Sequence, residues 1–100
     1  MNSDDILRVI EKQKDQLSAY GIARIGLFGS QARRDASTES DIDVLFDFVP
    51  KQKTYRNFYN AAAFLENILG QEVDAVTLQG LSPHIKPHIE KDIRYVQISR

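Results

Sequence analysis

Gly29-Ser30, a gap of ten residues and then Asp41-Ile42-Asp43 are residue types that phosphate and metal chemistry require together. A Gly-Ser step after an apolar strand can offer backbone N–H groups to a phosphate. Two aspartates two positions apart on a strand point to one face, with Cα atoms about 6.6 Å apart. Paired hard oxygen ligands of this kind suit Mg²⁺ carried in on a nucleoside triphosphate. For the Asp-x-Asp pair alone, solvated strand residues or turn acids are an equal alternative.

Asp74 adds a third carboxylate, in the middle of Val73-Asp74-Ala75-Val76. A buried carboxylate without a partner is costly. Asp74 is therefore either a satisfied structural acid or a neighbour of the other two. Three clustered carboxylates repel one another unless cations bind between them, and such clusters suit two Mg²⁺ ions that clamp attacking and leaving oxygens. Arg33 lies three residues beyond Ser30 and can reach a phosphate as a planar fork; an ordinary surface or ion-paired arginine fits equally well. Asp47 continues the face of Asp43 but lies about 13 Å further on, so it is expected to face solvent. No Gly-Lys-Ser/Thr follows Gly29, so this is not a Walker loop. His84 and His88 stand four apart, but Pro87 lies between them and no third ligand is near, so they are not read as a metal pair. Tyr20, Tyr55, Tyr59 and Tyr95 are read as core or interface residues.

The elements that must position these groups can be read from periodicity. Ser3 reads as an N-cap with Asp4 and Asp5 in the first turn. Ile6, Leu7, Ile10 and Leu17 then predict a helix closed by Gly21. Ile22–Phe28 is apolar on both sides and predicts a buried strand. Ser30–Arg34 is a short helical turn and Asp35–Ser40 a polar loop. Ile42, Val44, Phe46 and Phe48 alternate with Asp41, Asp43, Leu45 and Asp47, which predicts a strand bounded by Pro50. Lys51–Lys53 is a loop. Thr54–Leu69 predicts a helix stopped by Gly70, and Glu72–Leu78 a third strand. Ser82-Pro83 opens a helix that Pro87 must keep short or bent. Ile93–Ile98 adds an edge strand. The result is an α/β chain.

One hundred residues have room for a single domain over 1–100 with one core, and 42% apolar residues suffice for it. There is no cysteine, which excludes disulfides and thiolate metal sites and is compatible with a reducing cytosol. No apolar run approaches a membrane span, and the acidic start does not read as a signal peptide. Thirteen basic and fourteen acidic residues leave a net charge of −1, with no basic run longer than Arg33-Arg34. Stand-alone nucleic-acid binding is a poor fit to that balance.

Gly29-Ser30-Gln31-Ala32-Arg33, the Asp41-Ile42-Asp43 pair, Val73-Asp74-Ala75-Val76-Thr77 and the tail from Leu81 to Val96 resemble the minimal nucleotidyltransferases of the DNA polymerase β superfamily. The resemblance implies a small mixed β-sheet flanked by helices. It implies Asp41, Asp43 and Asp74 as metal ligands, with Asp74 activating an acceptor hydroxyl, and Gly29, Ser30 and Arg33 on the nucleotide. It implies Mg²⁺ as cofactor and ATP as substrate. Members of this type are paired with a HEPN-domain ribonuclease toxin, and are antitoxins that transfer AMP to a tyrosine of that toxin. A cytoplasmic hetero-oligomer with the toxin follows from the same resemblance. Many relatives have glycine where Arg34 stands, and a left-handed turn there would be strained for arginine.

The chain's brevity bears on the acceptor. Polymerases and tRNA-modifying members carry extra domains for primer or RNA. An acceptor recognised by a small patch, or delivered by a partner, fits 100 residues better. Two alternatives remain: an antitoxin that neutralises its toxin by binding alone, and nucleotidyl transfer to a small molecule.

Overall fold

The computed structural model describes residues 2–29 and 41–99. The predicted helical turn Ser30–Arg34 and the loop Asp35–Ser40 lie outside the described residues, and with them Ser30, Arg33 and Arg34. Helix α1 (Ser3–Lys12) begins one residue earlier than expected, because Asn2 is the cap. Its side chain accepts from Asp5 N–H at 2.9 Å, and the Asp5 carboxylate accepts from Asn2 N–H at 3.3 Å. This reciprocal pairing satisfies two of the helix's free donors. It leaves Ser3 buried, where its hydroxyl accepts from Arg94 at 3.1 Å. The expected single helix is broken at Gln13, and α2 (Lys14–Ser18) carries the chain to Gly21, whose φ of +79° closes the turn.

Four strands follow: β1 (Ile22–Phe28), β2 (Ile42–Phe48), β3 (Val73–Thr77) and β4 (Arg94–Gln97). They form one sheet in the order β3-β2-β1-β4. The β1–β2 and β1–β4 pairs are antiparallel and β2–β3 is parallel, so the sheet is mixed. Helix α3 (Tyr55–Leu69) makes the parallel crossover between β2 and β3. Thr54 caps its start, accepting from Asn57 N–H at 3.0 Å, and Gly70 in the left-handed conformation ends it. Beyond β3 come a 3-10 turn (Leu78–Gly80) and α4 (Lys86–Glu90), shorter than the Ser82 start implied because Pro87 tolerates only the first helical turn. No helix among the described residues is long and apolar enough to cross a membrane.

Helices α1, α2 and α3 lie on one face. Ile6, Ile10 and Leu17 from α1 and α2, and Ala61 and Leu65 from α3, are fully buried against Ile25, Leu27, Ile42, Val44 and Phe46 of the sheet. Leu65→Ala is expected to lose about 2–5 kcal/mol of stability by opening a cavity there. In a domain of this size that lowers the melting temperature by roughly 10 °C or more, measurable by calorimetry.

Strand alternation sends the remaining side chains to the opposite face in three rows set by register. One row runs Asp74–Asp43–Phe28, the next Val76–Leu45–Gly26–Tyr95, and the third Asp47–Arg24–Gln97. The second row is closed over by the C-terminal segment. A Cβ on Gly26 would fall 2.7 Å from Ile93 Cγ1 and 3.0 Å from Tyr95 Cε1, so only glycine fits. Leu45 beside it is fully buried.

Candidate active site

The site is built where β1, β2 and β3 meet on this second face. Asp43 is the second residue of β2, and its register partners are Asp74 on β3 and Phe28 on β1. Period-two alternation on β2 and parallel pairing with β3 thus make Asp43 and Asp74 register neighbours on one face. The strand starts are tied together by two hydrogen bonds. Ile42 N–H donates to Glu72 C=O at 3.0 Å, and Val73 N–H donates to the Glu66 carboxylate of α3 at 3.0 Å. Asp41 stands immediately before β2 and is exposed, as is Asp74; Asp43 is half-buried.

Gly29 completes the described part of the site. It follows β1 directly with φ +71°. A Cβ there would collide with the Asp43 carboxylate, at 3.1 Å from Cγ and closer still to Oδ2. The backbone of Gly29 and the carboxylate of Asp43 are therefore in a contact that no other residue allows. Gly29 and Asp43, which lie on either side of the ten-residue gap, are thus in direct contact.

Electrostatics single out Asp43. Burial raises its pKa above the ordinary 3.8, and the charges of Asp74 and then Asp41 raise it further. The donor set is oxygen-only, with no imidazole or thiolate, which is what a hard divalent cation takes. It concentrates negative charge that a cation would neutralise, so Mg²⁺ fits it chemically. Among the described residues no three acidic, histidine or cysteine side chains close into a finished metal cage. What the structure brings together is the Asp43–Asp74 pair over Gly29, with Asp41 coupled to Asp43 by charge.

The raised pKa has a stability consequence. The folded state holds the Asp43 proton more tightly than the unfolded chain does, so this group favours folding at low pH and opposes it once ionised. Its contribution declines as pH rises from about 3.8 through the higher folded value. Asp43→Asn should therefore melt above the wild type at pH 7, and the gap should shrink towards pH 3. Thermal denaturation of both proteins across that range checks the sign.

Asp47 corrects the sequence reading. It does not simply face solvent: its carboxylate accepts from Arg24 Nε at 2.7 Å and from Gln79 Nε2 at 3.2 Å. Arg24 in turn lies over the Tyr95 ring, 3.8 Å from its centroid. Sequence pattern does not reveal Arg24 as the residue that absorbs Asp47, because the two stand 23 positions apart and only the antiparallel register joins them. His84 and His88 are exposed, and His88 ends in the last turn of α4 rather than on a regular two-turn face.

Comparison with known proteins bears on the family and the fold. Residues 8–96 match the family model for the nucleotidyltransferase domain. A Methanocaldococcus jannaschii protein named "Putative protein adenylyltransferase" is 35% identical over 95 residues, covering 92% of this chain and 95% of its own. A solved structure described as a "putative minimal nucleotidyltransferase" superposes with a TM-score of 0.79 at 29% identity, covering 94% of this chain and 95% of the other. A further likeness, of fold alone, is to a Shewanella oneidensis complex described as a tri-AMPylated HEPN toxin with its MNT antitoxin. There the TM-score is 0.63 at 20% identity, over 89% of this chain and 70% of the other.

Proposed function

Because the chain belongs to the nucleotidyltransferase-domain family, we propose that it transfers AMP from ATP to a tyrosine of a HEPN-domain ribonuclease toxin and so acts as the toxin's antitoxin. The observation that carries this reading is the Asp43–Asp74 register pair seated over Gly29. The described adenylyltransferase relative and the Shewanella complex supply the acceptor class by analogy.

The roles divide by position. Asp41 and Asp43, together with Asp74, would hold Mg²⁺, which when bound neutralises triphosphate charge and polarises the α-phosphate. Gly29, Ser30 and Arg33 are assigned to the phosphates from the motif, and the missing Cβ of Gly29 is what lets the Asp43 carboxylate lie against that backbone. Asp74 sits on the neighbouring strand, exposed, where an acceptor hydroxyl can approach. The tyrosine oxygen bonds to the α-phosphorus while the bond to the pyrophosphate oxygen breaks. The phenolic proton passes to the Asp74 carboxylate and on to solvent, and pyrophosphate leaves. An AMP ester on the toxin is the product.

Co-expression tests the proposal. Growth arrest by the HEPN toxin encoded nearest to this chain should be relieved by the wild type and not by Asp41→Asn/Asp43→Asn. Full relief by the double variant would sink the enzymatic reading and leave binding alone.

A further inference from the structure

Helix α3 begins with an aromatic pair that the fold does not use. Tyr55 is 83% exposed and Tyr59 62%, the two most exposed large apolar residues among those described. Their rings stack on each other, with centroids 6.3 Å apart and planes at 18°. A cavity of about 270 Å³ opens beside Tyr55, floored by Phe58 and Thr77. Phe58 itself packs edge-on against the buried Phe46, so the cavity floor adjoins the core. Lys53 lines the same cavity, and Lys51 and Arg56, both exposed, lie close by in the sequence. No acidic residue occurs between Asp47 and Glu66, and none of the three cations makes an ion pair among the described residues. The patch therefore carries +3 on a chain whose total is −1.

The patch lies away from the chemistry. Thr77 pairs in register with Phe46, three residues along both strands from Asp43 and Asp74. At strand rise that is about 10 Å. Thr77 and Phe46 face the helices whereas Asp43 and Asp74 face the other side of the sheet, so the aromatic pair does not touch the reacting atoms, and a partner docked on it reaches the carboxylates around the β3 edge. Exposed tyrosines and arginine beside a preformed apolar cavity are the residue types that dominate protein interfaces.

We infer that the Tyr55–Tyr59 end of α3, with the cations Lys51, Lys53 and Arg56 in the same stretch of chain, is the docking surface for the protein acceptor, which meets it with an acidic surface carrying an apolar side chain for the cavity. This rests on the reading of a protein acceptor and adds where that acceptor is held. Single-stranded nucleic acid also stacks on aromatics, but three cations on a net-negative chain neutralise few phosphates and give little affinity. A protein partner needs only local charge complementarity.

The test is binding without nucleotide. Wild type, Tyr55→Ala/Tyr59→Ala and Lys53→Glu/Arg56→Glu are titrated with the purified HEPN-domain protein encoded nearest to this chain, at low and high salt, and with a single-stranded oligonucleotide. Both side-chain pairs are exposed, so melting temperatures should stay within a few degrees of the wild type. Each variant is expected to bind the HEPN protein at least about tenfold more weakly, and salt should weaken the wild type towards the charge-reversed variant. Unchanged affinity in both variants would overturn the inference, as would oligonucleotide binding that is tighter than the protein complex and lost in the variants. Because no ATP is present, a complex that forms but never receives AMP counts against the transfer reaction alone, and unchanged variant binding counts against this surface alone.

Discussion

Replacing Asp43 with asparagine should lower AMP transfer by at least about a hundred- to a thousandfold, the loss seen when one preorganised electrostatic contact to a transition state is removed. The substitution keeps the shape of the side chain and the β2 register. It removes the charge that sits between Asp41 and Asp74 and against Gly29. Asp43 lies against Gly29, pairs in register with Asp74 and feels the charge of Asp41. Its burial makes its charge less screened than that of the exposed Asp41 or Asp74. Asp47→Asn is the matched control. That acid lies on the same strand face but is held by Arg24 and Gln79, so its loss should leave transfer within a few-fold of wild type. Initial rates at saturating ATP, with folding checked by the higher melting temperature expected for Asp43→Asn, separate chemistry from structure.

Gly29→Ala is the second large effect. A methyl group there meets two penalties at once. The φ of +71° is unfavourable for any residue with a Cβ, by about 1 kcal/mol, and the new Cβ would overlap the Asp43 carboxylate. Asp43 must then move, and a displacement near 1 Å in a reacting assembly lowers the rate by about a hundredfold. Gly70→Ala isolates the first penalty. Gly70 has nearly the same φ, +69°, but a Cβ there meets nothing within 4 Å. Both variants should lose similar backbone stability, and only Gly29→Ala should lose transfer. Parallel melting curves and rate measurements on the two proteins decide it.

Much of this arrangement is legible in the amino-acid sequence. The alternation of Ile42, Val44, Phe46 and Phe48 against Asp41 and Asp43 assigns β2 and its faces, and an acid inside an apolar run marks Asp74 as a residue seeking a neighbour. Strand order is not legible, since it depends on the crossover through α3, so only the parallel register establishes that Asp43 and Asp74 are adjacent. Asp47 escapes a reading by spacing for the same reason: its ion pair with Arg24 belongs to register. The Ile22–Phe28 run reads as mostly apolar on both sides, whereas Gly26 lies on the second face and is covered by Ile93 and Tyr95 from the far end of the chain. The break at Gln13 carries no proline or glycine to announce it. The aromatic end of α3 is not legible in the sequence, because the exposure of Tyr55 and Tyr59 and their stacking emerge only from the packing of the helix.

The most direct measurement follows the two ends of ATP separately. The HEPN-domain toxin is incubated with this chain, Mg²⁺ and ATP labelled at either the α- or the γ-phosphate, and label on the toxin is counted. Nucleotidyl transfer through Asp41, Asp43 and Asp74 should place α-label on a toxin tyrosine, release γ-label as pyrophosphate, and fail in Asp41→Asn/Asp43→Asn. A toxin that is neutralised without acquiring α-label, or that acquires γ-label instead, would contradict it.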